Sequence, residues 1–86
     1  MLKERVKELI DRYESGDENL TKVDVREELD EILDDEPWEE PLSRHLSTAI
    51  FDYTNQWRES QKYGGRADDG GDEFIQNVEQ IIGYEN

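Results

Sequence analysis

The sequence predicts a small all-α domain, a single-domain bundle of about four helices spanning residues 1–86. Three observations carry that expectation. Apolar side chains recur at helical spacing in four separate stretches. Each stretch is closed by glycine or by a proline-bracketed link. No segment alternates apolar and polar residues for long enough to make a strand, although the glycine pairs 64–65 and 70–71 leave room for a small hairpin.

Leu2, Val6, Leu9, Ile10 and Tyr13 form one stripe on a first helix, and Ser15-Gly16-Asp17 ends it, with Gly16 suited to a left-handed position. Thr21 with Asp24 is a variant of the capping box and opens a second helix whose inward positions are Val25, Leu29, Ile32 and Leu33. Pro37 and Pro41 bracket a short link containing Trp38, and the residue before a proline avoids the helical region, so the second helix should stop by Asp35. The third helix has the longest stripe: Leu42, Leu46, Ala49, Ile50, Tyr53 and Trp57, with Pro41 suited to its first position. That stripe predicts Trp57 in the core, while Phe51 points elsewhere. Tyr63-Gly64-Gly65 stops the helix, and residues 64–71 read as a flexible loop. Asp72 is the expected cap of a fourth helix, with a stripe of Phe74, Ile75, Val78, Ile81 and Ile82 that Gly83 ends.

Composition narrows the function classes. The 86 residues include 24 acids and 10 bases, a formal charge of −14. Leu, Ile, Val and Phe together number 19, just above the roughly one-fifth below which highly charged chains stay disordered. There is no cysteine, which removes disulfides, thiolate metal sites and thiol nucleophiles. His45 is the only histidine, so no two-histidine zinc motif exists. No run of about 18 apolar residues suggests a membrane span, and Leu-Lys-Glu-Arg after Met1 is unlike a signal peptide. The expectation is a cytoplasmic protein of the producing or host cell, without cofactor or membrane association. The charge also opposes direct binding to nucleic acid, which needs lysine and arginine on one face.

The acids are unevenly placed. Residues 1–14 are net neutral, 15–26 carry −1, 41–63 carry +1 and 64–86 carry −5. Residues 27–40 hold Glu27, Glu28, Asp30, Glu31, Asp34, Asp35, Glu36, Glu39 and Glu40 and no base. A solvated face explains such a run, and adaptation to high salt is a related account, though salt adaptation would acidify every exposed segment. The sharper account is a surface made to meet a basic partner, because nine like charges repel one another until a cationic surface relieves them. A helix rises about 1.5 Å per residue and duplex DNA carries about one charge per 1.7 Å. Nine carboxylates over ~20 Å therefore approach the density of ~12 phosphates, and Trp38 would anchor the contact. The partner-binding residues expected are these nine acids and Trp38.

No constellation points to catalysis. His45, Thr48 and Asp52 share a helix, but positions seven apart lie ~10 Å apart along it, so they do not compose a triad. Asp68-Asp69-Gly70-Gly71-Asp72-Glu73 invites a calcium reading, yet no register supplies the EF-hand oxygen ligands, and no metal site is expected. The opening Leu2-Lys3-Glu4-Arg5-Val6-Lys7-Glu8-Leu9-Ile10 resembles the first helix of acyl carrier proteins, which would imply an acidic four-helix carrier. The Asp-Ser-Leu attachment motif of that family is absent: the serines read Pro41-Leu42-Ser43-Arg44 and His45-Leu46-Ser47-Thr48. Length, acidity and helix count are also similar to colicin-type immunity proteins, whose Tyr-Tyr-Pro segment has no counterpart here.

The functional expectation is a non-enzymatic, acidic inhibitor of the DNA-mimic kind, as in phage-encoded antirestriction and anti-CRISPR proteins. It would cover the basic, nucleic-acid-binding surface of a partner enzyme. Two alternatives stand beside it: an immunity protein or antitoxin against a basic nuclease toxin, and an acidic carrier or assembly protein, salt-adapted or not. Phe51, Tyr63 and Tyr84 lie outside the stripes and leave both monomer and homodimer open.

Overall fold

Four helices take up the four apolar stripes: α1 (Leu2–Ser15), α2 (Lys22–Asp35), α3 (Leu42–Lys62) and α4 (Gly71–Ile82). The computed structural model describes residues 1–16, 18–36, 39–65 and 70–84, and among them there is no strand. The protein is a small all-α bundle. The loop at 66–69 lies outside the described residues.

Local chemistry sets the helix ends. Gly16 takes φ 75°, a left-handed conformation that side chains with a Cβ avoid, and its N–H donates to the Tyr13 carbonyl. At α2, Thr21 Oγ1 accepts from the Asp24 N–H at 3.1 Å while Asp24 Oδ2 accepts from the Thr21 N–H at 3.0 Å. This is the reciprocal capping box, and it satisfies two of the backbone donors a helix start leaves open. The helix stops at Asp35, as the downstream proline requires.

Two boundaries depart from expectation. Pro41 sits just before α3 rather than in its first turn. Asp72 does not cap α4: the capping position is Gly70, at φ 83°, with no side-chain cap. Lys22 of α2 draws the Asp72 carboxylate away, with Nζ 2.8 Å from Oδ1. Asp72 still stands in the first turn, where the helix dipole favours a negative charge.

α3 packs most extensively on α4, and α1 on α2. The core joins Leu2, Val6, Leu9 and Ile10 to Val25, Leu29 and Leu33, to Leu46, Ala49 and Tyr53, and to Phe74, Ile75, Val78 and Ile82. Tyr53 and Phe74 stack across the α3–α4 seam with ring centroids 4.7 Å apart and planes 16° from parallel. Tyr13, Ile32, Leu42, Ile50 and Ile81 pack at its margin. Phe51 and Tyr63 are 65 % and 85 % exposed, whereas Tyr84 packs against the core.

Trp57 corrects the sequence expectation. It lies on the predicted face but is 39 % exposed and outside the core. The reason is length. α3 has 21 residues and α4 has 12, so at ~1.5 Å per residue the last turns of α3 overhang their neighbour. Periodicity fixes which way a side chain points, but burial also needs a partner opposite.

The two aromatics should therefore respond differently to truncation. Phe74→Ala empties a closed site and should cost about 3–5 kcal/mol, enough to unfold most of the population. Trp57→Ala should cost only about 1–2 kcal/mol, because much of the indole is already hydrated. Urea denaturation followed by circular dichroism measures both, and a Trp57→Ala loss as large as that of Phe74→Ala would contradict this packing.

Candidate functional site

The apolar stripe of α2 sorts the acidic run. Once Val25, Leu29 and Leu33 face the core, Glu28 and Asp35, two turns apart, fall on the flank beside α1. Arg5 and Arg12 have the same seven-residue spacing on α1, and the two pairs meet. Arg12 Nη1 donates to Glu28 Oε1 at 3.3 Å, and its other donors hold Glu18 at 2.6 and 2.8 Å. Arg5 donates to Glu36 Oε2 at 3.1 Å and to Asp35 Oδ2 at 3.3 Å. Beyond the end of α2, Glu39 Oε2 accepts from the Leu2 N–H at 3.0 Å. That bond caps α1, whose own N-cap residue Met1 supplies no side-chain bond, and a carboxylate there also meets the positive end of the helix dipole. The amino terminus adds a longer contact to Glu36 at 3.9 Å. Four of the nine acids therefore form a collar around α1.

The others face outward. Glu27, Asp30, Glu31 and Asp34 are all exposed and follow the i, i+3, i+4, i+7 spacing of one helix face away from the core stripe, with Glu31 at its edge, where it also lines the α1–α2 groove with Arg5 and Arg12. Asp30, Glu31 and Asp34 make no ion pair among the described residues, and Glu27 has only a 3.9 Å approach from Arg26. Glu40 is also exposed, 3.9 Å from Arg44. Trp38 lies outside the described residues. The structure thus brings together four of the ten sequence-predicted residues as an outward stripe about 10 Å long and commits four others to α1.

The electrostatics follow from these contacts. The hydrogen bonds from Arg12 hold the Glu18 carboxyl below the usual carboxylate range. A second acidic corner, where α1 and α4 end together, has no counterpart in the sequence reading. Burial, together with the nearby charge and hydrogen bonding of Glu14, pushes the Glu79 carboxyl above its usual range. Glu79 Oε2 is buried without a hydrogen-bond partner among the described residues. Tyr84 closes the corner: its phenol is hydrogen-bonded to Asp11, and that bond, burial and the charges of Asp11, Glu14 and Glu79 push its pKa up. These residues are up to 73 positions apart in the chain, so only the fold puts them together.

Other constellations are placed as follows. His45, Thr48 and Asp52 line a cleft of about 210 Å³ between α3 and α4, with Asn77, Gln80 and Ile81. The Thr48 hydroxyl donates to the Arg44 carbonyl at 3.0 Å, a bond within its own helix rather than to His45. Ser43 is buried and Ser47 exposed on α3. Among the described residues no group of three or more His, Asp or Glu side chains is arranged to hold a metal, and Asp68 and Asp69 lie outside them. No helix among the described residues is long and apolar enough to cross a membrane. Comparison with known proteins finds no family model, no curated protein and no solved structure that matches this chain.

Glu79 gives a pH-dependent stability of definite sign. A carboxyl raised in the folded state stabilises the fold while protonated, and that contribution is lost as pH rises through its folded-state value. Glu79→Gln should raise the thermal midpoint at pH 7 and flatten the gain the native protein shows on acidification towards pH 5. A variant that melts below the native protein at pH 7 would contradict the assignment.

Proposed function

We propose that this protein is a binding protein that lays the outer face of α2 on a basic surface of a partner protein, one built to hold nucleic acid, and so blocks it. The observation that supports this reading is the division of the acidic run. Glu28, Asp35, Glu36 and Glu39 serve the fold, while Glu27, Asp30, Glu31 and Asp34 stand on one helix face where, among the described residues, the 3.9 Å approach of Arg26 to Glu27 is the one ion pair. Four carboxylates over about 10 Å approach the linear charge density of DNA. The role is inhibition by occupancy, with no chemistry on the partner, and the phage-type inhibitors that act on restriction and CRISPR enzymes are the functional class it fits. Glu40, just ahead of α3, extends the proposed contact, and Trp38 belongs to it on the sequence reading.

A charge-reversal pair with a DNA competitor tests this. Asp30, Glu31 and Asp34 changed together to lysine should abolish retention of basic nucleic-acid enzymes from a lysate, whereas Glu4 and Asp52 changed to lysine should leave it within about twofold. Duplex DNA should release what the native protein retains. Because rim charges steer encounter, the association rate should fall by tenfold or more between low and physiological salt, where screening sets in at about 8 Å. Equal retention by both variants, or retention that duplex DNA does not compete, would overturn the proposal.

A further inference from the structure

The cleft between α2 and α3 has the opposite character to the rest of the surface. Val23 and Arg26 of α2 and Tyr53, Thr54, Trp57 and Arg58 of α3 line a cavity of about 400 Å³. In a chain with 24 acids and 10 bases, its charged lining among the described residues is two arginines and no acid. Arg58 has no ion pair among the described residues, and the Arg26–Glu27 approach is 3.9 Å. The overhang of α3 that leaves Trp57 partly exposed also builds this site, since the indole becomes a wall instead of core.

We propose that this cleft binds a small aromatic phosphate of the size of a nucleoside monophosphate. The volume lies at the lower end of the roughly 300–1,000 Å³ of small-molecule sites, room for one ring system and one phosphate. The exposed indole offers a flat surface for a ring to stack on, and Val23 supplies apolar lining beside it. Two guanidinium groups match a doubly charged phosphate better than a single carboxylate, and their planar forks bond its oxygens in pairs. The Thr54 hydroxyl adds a donor at the same wall. The overall negative charge opposes any anion, but distant acids are screened beyond about 8 Å at physiological salt, whereas the arginines would touch the ligand. The site is independent of the outward stripe of α2, so either assignment stands without the other.

The test is a fluorescence titration at physiological salt in a Trp38→Phe background, which leaves Trp57 as the sole tryptophan. Adenosine monophosphate should quench Trp57 with a saturable curve, and adenosine, inorganic phosphate and indole-3-acetate should each bind at least tenfold more weakly. Arg26→Gln and Arg58→Gln should each weaken adenosine monophosphate at least tenfold while keeping the thermal midpoint of the parent. Calorimetry on the native protein, with both tryptophans present, should give the same affinity. Failure to saturate at millimolar nucleotide, adenosine binding as tightly as its monophosphate, tighter binding of the carboxylate, or indifference to both arginine changes would each overturn the proposal.

Discussion

Each helix of this protein buries only three or four side chains, and that narrow stripe fixes the rotation of the helix about its own axis. Everything else in the structure depends on it. A wider apolar face would tolerate a turn of tens of degrees. Here such a turn would bring a carboxylate into the core, at a cost of several kcal/mol for a charge left unpaired. With rotation fixed, the direction of every charge is fixed too. Glu28 and Asp35 have to flank α1, Glu27, Asp30 and Asp34 have to face away, and Glu31 falls at the edge between them.

The consequence is a protein whose acidity has two roles. The inward acids neutralise Arg5 and Arg12 and cap a helix that has no side-chain cap of its own. They join the link after α2 to the start of α1, near the opposite end of that helix from the α1–α2 turn, and so hold the first two helices at both ends. The outward acids repel one another, and among the described residues the one ion pair they make is the 3.9 Å approach of Arg26 to Glu27. This asymmetry is the ground on which the binding role is proposed.

Much of this was legible in the sequence, because stripes and caps are local. Thr21 and Asp24 close their box within three residues, Gly16 and Gly83 take the left-handed conformations their positions suggest, and the core stripes face as their spacing requires. Burial and pairing at longer range were not legible. Trp57 keeps its predicted face yet overhangs α4, since periodicity says nothing about the length of a partner. Asp72 pairs with Lys22 rather than capping its helix, which needs the approach of two elements 50 residues apart. The run at 27–40 reads as one block because counting charge ignores phase. The same local counting calls α1 neutral, while the fold sends its arginines towards α2 and Asp11 and Glu14 towards the corner with Tyr84 and Glu79.

The division of the acidic run is the central claim, and two charge-matched variants measure it directly. Glu28→Gln with Glu36→Gln removes two inward charges, and Asp30→Asn with Asp34→Asn removes two outward ones. Thermal unfolding at pH 7 in low salt should show the inward pair melting below the native protein and the outward pair at or above it, with the difference shrinking as salt rises. Midpoints that move together, in either direction, would contradict the account, because they would mean that all nine acids share one environment.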